Sequence, residues 1–231
     1  MAYQNDHSVF DSRGLLVESG SRNRVLRNTY ALLALSMIPT VLGSYLGVRT
    51  GFAWFSGFTG LIGFLVIAYG SMFLIERNKN NSFGVLLLLG FTFFMGLMLS
   101  QLLASVLGLA NGGRLIMAAF GGTAMVFAGM ATLATVSKRD FSGLGRWLFV
   151  GFLVVMVASI ANIWLQLPAL SLAMSVIIIG ISSAFILIDV QRVINGGETN
   201  YISATLSIYL SIYNIFANLL SLLGIFGGER D

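Results

Sequence analysis

Asp189 is an acidic residue at the edge of a long apolar segment, and three polar residues occupy the next such segment. They are Ser211, Asn214 and Asn218, whose spacings of three and four residues place them on one helical face. Carboxylate, hydroxyl and amide oxygens can ligate a cation, and a carboxylate also titrates. These four residues are therefore the candidate ion-pathway or pH-sensing site.

Asp189 also has a purely structural interpretation. Arg192 follows it by three residues, the spacing of neighbours on a helix, so the two side chains could simply pair near the membrane surface. Ser175 and Ser182 precede Asp189 at intervals of seven and share its helical face. Glu198 could supply a second carboxylate, but the sequence leaves its direction open. The residues alone do not decide between the two interpretations of Asp189.

Most enzymatic chemistries lack the residues they need. The absence of Cys excludes thiolate nucleophiles and zinc–thiolate sites, and the single His, His7, lies far from any apolar segment. Most of the 13 Lys and Arg residues flank apolar segments, whereas a nucleic-acid-binding protein clusters its basic residues on one face. We expect a protein that is not an enzyme, binds no nucleic acid and has no cofactor.

The composition indicates that these residues lie in membrane-spanning helices. Hydrophobic residues make up 57% of the chain and charged residues only 10%, whereas a soluble domain needs roughly 25% charged residues. A span needs about 20 mostly apolar residues. Seven segments meet this requirement: 28–48, 52–75, 84–109, 115–136, 147–165, 170–188 and 202–226. The fold class is therefore an all-α membrane protein with seven transmembrane helices.

Positive charge predicts the orientation of these spans. Ten of the 13 Lys and Arg fall on the side of the N-terminus and three on the other side. This places the N-terminus in the cytoplasm and the C-terminus on the opposite side of the membrane. We divide the chain into a flexible cytoplasmic tail over residues 1–24 and a transmembrane domain over residues 25–231.

The polar face of the seventh span predicts its position. Unpaired amides of Asn214 and Asn218 would each cost several kcal/mol in lipid, on the order of an unsatisfied polar group. The face must therefore point towards other helices or water. We expect the seventh helix to lie centrally in the bundle.

Several segments resemble the Bax inhibitor-1 (TMBIM) family, most closely its bacterial YccA-like branch. They are residues 25–30 (VLRNTY), 161–170 (ANIWLQLPAL), 196–202 (GGETNYI), 208–216 (IYLSIYNIF) and 219–221 (LLS). The resemblance implies a bacterial inner-membrane protein whose last helix is wrapped by the other six. For this branch it also implies modulation of the membrane AAA protease FtsH, as inhibitor or substrate, in company with HflK and HflC and within membrane lipid.

Another branch of the family implies an alternative function. Its members conduct calcium as a pH-sensitive leak, gated by two aspartates on the sixth and seventh helices. Asp189 matches the first aspartate, but Ser211 stands where the second is expected. One carboxylate and one hydroxyl make a weaker calcium site than two carboxylates. The alternative to protease modulation is therefore a cation pathway with Asp189 as the sensing carboxylate. The resemblance to this branch also makes Asp189 the candidate calcium ligand, with Ca²⁺ as the possible bound or transported ion.

Overall fold

The structure is a computed structural model that describes residues 7–52 and 57–228, with side chains described for residues 23–52 and 59–227. Over these residues the regular secondary structure consists of α-helices alone. The helices are α1 (His7–Thr50), α2 (Gly57–Arg77), α3 (Ser82–Leu107), α4 (Gly112–Val136), α5 (Leu144–Leu165), α6 (Pro168–Ile194) and α7 (Tyr201–Gly228). All seven contain a stretch long and apolar enough to cross a membrane, which confirms the seven predicted spans.

The N-terminal segment is only partly described. The backbone of α1 begins at His7, inside the segment interpreted as a tail, and its apolar stretch begins at Asn23. Residues 1–6 lie outside the described part of the chain. The flexibility of residues 1–24 stays a prediction.

Helix α7 lies in the interior of the bundle, as its polar face predicts. It contacts α1, α2, α3, α4 and α6. Within residues 201–227 only Ser207, Ile225 and Phe226 are exposed. The expectation that all six other helices wrap α7 is wrong in one respect, because α5 contacts α6 alone. Five helices enclose α7, and the sixth lies outside them.

Helices α1 and α3 form the closest pair in the bundle. A Cβ atom added at Gly43 would collide with the carbonyl oxygen of Phe93, and one added at Gly96 would collide with that of Thr40. Glycine is required at both positions because the two backbones touch there. This close crossing brings both helices against α7, where the Tyr209 hydroxyl lies 2.9 Å from the Thr40 hydroxyl.

The turn between α5 and α6 is held by side-chain hydrogen bonds. The Asn162 amide donates to the Ser171 hydroxyl at 2.7 Å, and its oxygen accepts from the Leu167 backbone N–H at 3.0 Å. Gln166 adopts a left-handed backbone conformation, with φ of 49°, that reverses the chain. Pro168 then begins α6, at a helical position where no backbone donor is needed. The predicted break at Pro168 is therefore the boundary between the two helices.

Candidate functional site

Asp189 lies inside α6 rather than at its edge. The sixth apolar segment was expected to end at residue 188, whereas the helix continues to Ile194. The Asp189 side chain is 13% exposed, and its carboxylate lies 3.9 Å from the Arg192 guanidinium, which is 52% exposed. This distance is at the limit of an ion pair. The structural interpretation of Asp189 as a partner of Arg192 is thus part of the observed geometry.

A small cavity opens beside Asp189 at this end of α6. Asp189, Arg192 and Glu198 line it together with Ala204 and Ser207 of α7, and it is partly open to solvent. The direction of Glu198, which the sequence left open, is therefore towards Asp189. The Glu198 carboxylate also accepts a 2.8 Å hydrogen bond from the Asn200 backbone N–H, which holds it in place. The site contains two carboxylates and one guanidinium.

The three α7 residues of the candidate site lie deeper in the bundle. Ser211 is 6% exposed and follows Ser207 by one helical turn, so it lies beyond the residues that line the cavity. Asn214 and Asn218 are both half-buried, and the Asn218 amide donates at 2.8 Å to the Asn214 carbonyl oxygen. The structure therefore brings Asp189 together with Glu198 and Ser207, and it places the other three along the helix behind them.

The polar stripe of α6 faces α7. Ser182 and Ser175 are 2% and 9% exposed and share the face of Asp189. Because α6 and α7 are antiparallel neighbours, seven residues along each helix cover the same rise of about 10.5 Å. Asp189 and Ser207 lie at the same level because both line the cavity. Ser182, seven residues from Asp189, therefore lies at the depth of Asn214, seven residues from Ser207. Polar groups thus line the α6–α7 seam from the cavity into the bundle.

Sequence reasoning missed the residue that fixes the α4–α5 loop over α6. The Gln191 amide, on a side chain that is 4% exposed, donates to the Arg139 carbonyl at 2.7 Å and accepts from the Phe141 N–H at 2.9 Å. The Ser142 N–H donates to Asp140 at 2.9 Å, which holds the pKa of that carboxyl below its usual range. A glutamine near the end of an apolar helix was the available signal.

Asn200 fixes the α2–α3 loop by hydrogen bonds, as Gln191 fixes the α4–α5 loop. Its amide donates at 2.9 Å both to the Lys79 carbonyl and to the Asn80 side chain. Its oxygen accepts from the Ile202 and Ser203 backbone N–H groups and so caps α7. An asparagine directly before an apolar run is a recognisable helix N-cap, so this role was predictable. The contact of Asn200 with the α2–α3 loop was not predictable from the sequence.

The described residues contain no group of three or more His, Asp or Glu side chains that could hold a metal ion. Calcium prefers six to eight oxygen ligands. Asp189 and Glu198 supply two carboxylates, which is fewer than a dedicated calcium site uses. The calcium role of Asp189, and the ion-pathway role of Ser211, Asn214 and Asn218, stay predictions.

Comparison with known proteins places this arrangement in a family. The profile of the family described as "Inhibitor of apoptosis-promoting Bax1" matches residues 22–228, which include all seven apolar stretches. The chain belongs to this family. The resemblance to the Bax inhibitor-1 family, drawn from short segments, is confirmed.

Several bacterial proteins are similar to this chain over nearly their whole length. An Escherichia coli K12 protein named "Modulator of FtsH protease YccA" is 44% identical over 204 residues, which cover 88% of this chain and 91% of that protein. Its counterpart in E. coli O6:H1, with the same identity and coverage, is named "Inner membrane protein YccA". An uncharacterised protein of Neisseria meningitidis serogroup A is 40% identical over 227 residues, or 96% of this chain and 99% of the relative.

Proposed function

We propose that this protein is a non-enzymatic modulator of the membrane protease FtsH in the bacterial inner membrane. The observation that carries the proposal is the 44% identity to the E. coli modulator of FtsH, which extends over 88% of the chain. The similarity covers the transmembrane bundle itself rather than one short motif. Most of the sequence is thus similar to a protein named for this function.

The chemistry of the described residues supports a regulatory role. The candidate site holds Asp189, Glu198, Arg192 and Ser207, and within the described residues the Ser207 hydroxyl makes no hydrogen bond to a carboxylate that could act as its base. The hydroxyl groups of Tyr209 and Tyr213 on α7 bond to groups of α1 and α3, so they hold helices together. A protein of this kind acts by binding a partner, without a resident cofactor.

The proposal includes further partners and an orientation. HflK and HflC accompany FtsH in the proposed complex, and membrane lipid surrounds it. The N-terminus lies in the cytoplasm and the C-terminus in the periplasm, on the basis of ten Lys and Arg against three. The cytoplasmic tail over residues 1–24 is the segment by which the protease grips the protein as a substrate.

Co-purification tests the central proposal. The full-length protein, tagged at its C-terminus and solubilised gently from native membranes, is expected to retain FtsH, HflK and HflC. In the same cells, overproduction is expected to slow degradation of a membrane substrate of FtsH. Absence of FtsH from the eluate together with unchanged substrate turnover would refute the proposal.

Two further measurements test the finer parts. Deleting residues 1–21 is expected to lengthen the half-life of this protein in cells that contain FtsH, and to leave it unchanged in cells without FtsH. C-terminal fusions are expected to give active alkaline phosphatase and non-fluorescent green fluorescent protein, because the C-terminus lies outside. The reverse fusion result would contradict the orientation and leave the binding proposal intact.

A further inference from the structure

Helices α4 and α5 both pack on α6, and their backbones stay apart from each other. Each contacts α6, but no Cα atom of α4 lies within 8 Å of one in α5, although only seven residues connect them. The α5 side of α6 is marked by Met174 and Ile181, which cluster with Val155. A groove therefore runs between α4 and α5, and α6 forms its floor.

The floor of this groove is open and apolar. Ile177 and Gly180 of α6 are exposed, and a Cβ atom added at Gly180 would meet no other atom within 4 Å. Ala184, one turn closer to the α4–α5 loop, is half-buried. One turn further on, Ile188 is only 5% exposed, in the stretch of α6 whose Gln191 bonds to that loop. The groove is thus closed at one end and open along the helices.

The closed end carries positive charge. Lys138 and Arg139 lie in the loop and Arg146 lies in the first turn of α5, and all three are exposed. Among the residues whose side chains are described, no carboxylate lies within ion-pair distance of these three cations. Asp140, the acid nearest in sequence, is engaged by the Ser142 N–H.

The loop that displays these cations has a defined backbone. Gln191 bonds the loop on both sides of Asp140, through Arg139 and Phe141. The Phe141 side chain packs against the main apolar cluster of the bundle. Trp147, next to Arg146, is 74% exposed, and tryptophan favours the headgroup level of a bilayer. Basic pockets between transmembrane helices at this level bind anionic lipid headgroups.

We propose that the α4–α5 groove binds one anionic phospholipid, with its phosphate at Lys138, Arg139 and Arg146 and an acyl chain lying over Gly180. The dimensions agree with this occupant. Eleven residues separate Gln191, under the loop, from Gly180, a rise of about 16 Å. One leaflet contributes about 15 Å of hydrocarbon, half of a core roughly 30 Å thick. An acyl chain that starts at the loop therefore ends near Gly180.

Native mass spectrometry of the purified full-length protein tests the charged end. After delipidation, the protein is titrated with phosphatidylglycerol or with phosphatidylcholine of the same chain length. We expect one phosphatidylglycerol to bind about tenfold more tightly than phosphatidylcholine. The variant K138Q/R139Q/R146Q is expected to lose this preference, whereas Arg77→Gln, which removes an exposed cation of α2, keeps it. Equal losses in the two variants would mean general charge attraction and would overturn the proposal.

Two substitutions test the groove separately from its charge. Gly180→Leu fills the floor without a collision and is expected to weaken phosphatidylglycerol binding about fivefold. Gly70→Leu, at an equally open position on α2, is the matched control and is expected to have no effect. Unchanged binding to Gly180→Leu would overturn the acyl-chain placement. Displacement of the lipid by millimolar inorganic phosphate would also overturn the proposal, because it would identify a free-anion site.

Discussion

Helices α5 and α7 show opposite relations between hydrophobicity and burial. The α5 stretch is the more apolar of the two, yet Val155 is its only buried residue. The α7 stretch carries the polar stripe and lies inside the bundle. In water the order would be reversed, since apolar surface is what folding buries. In a bilayer, lipid accepts apolar side chains as readily as protein does, so polar groups and close packing decide which helix lies inside.

The largest expected loss of stability comes from a substitution at the crossing of α1 and α3. Gly96→Leu forces the α1 and α3 backbones apart, because even a Cβ atom collides there. We expect a loss of about 3 kcal/mol or more and little folded protein in membranes. Fluorescence-detected size-exclusion chromatography measures the folded fraction. Gly90→Leu, on the open side of the same helix, is the control and is expected to fold normally.

Truncation of one apolar side chain on each helix compares the burial of α5 and α7. Ile215 of α7 is fully buried, whereas Val157 of α5 is 62% exposed. Ile215→Ala is expected to cost about 2 kcal/mol through lost packing, and Val157→Ala less than about 0.5 kcal/mol. Thermal unfolding in a fixed detergent measures both variants. Equal shifts in Tm would contradict the peripheral position of α5.

The hydroxyl of Tyr209 allows a test of what a single polar group of α7 contributes to stability. It bonds with the Thr40 hydroxyl at 2.9 Å and donates to the Thr92 carbonyl at 3.4 Å. Tyr209→Phe is expected to cost about 1 kcal/mol, close to the value of an interhelical hydrogen bond in a membrane. Tyr69→Phe, on the exposed face of α2, is expected to leave Tm unchanged. A Tm of Tyr209→Phe equal to that of the unmodified protein would show that this bond contributes nothing.

The smallest effect on stability is expected at Gln166, in the turn between α5 and α6. Gln166 has a positive φ, which strains a residue with a Cβ atom. Gln166→Gly is expected to stabilise the protein by about 0.5 kcal/mol, because relief of strain exceeds the added freedom of the unfolded chain. Gln166→Val should instead destabilise it. Thermal unfolding of the pair checks the sign, and a decrease in Tm for the glycine variant would refute the expectation.

The candidate site was predictable in part. Asp189 was identified because a carboxylate in an apolar helix is costly without a role, and Glu198 was considered but could not be oriented. Its direction depends on the loop after α6, whose Glu198–Asn200 hydrogen bond is set by local backbone geometry. Gln191 was missed because its partners, Arg139 and Phe141, are about fifty residues away in the chain. Such contacts have no periodic signature.

The sequence by itself determined the seven spans and the inward position of the polar α7 face. Both follow from transfer free energies of side chains and backbone into hydrocarbon, which depend on residue type and spacing. Only the tertiary structure decided which helices meet. It joined α1 to α3 at Gly43 and Gly96, left α5 against α6 alone, and turned Glu198 towards Asp189. Apolar helix surfaces are nearly equivalent in lipid, so their pairing depends on shape and a few distant hydrogen bonds.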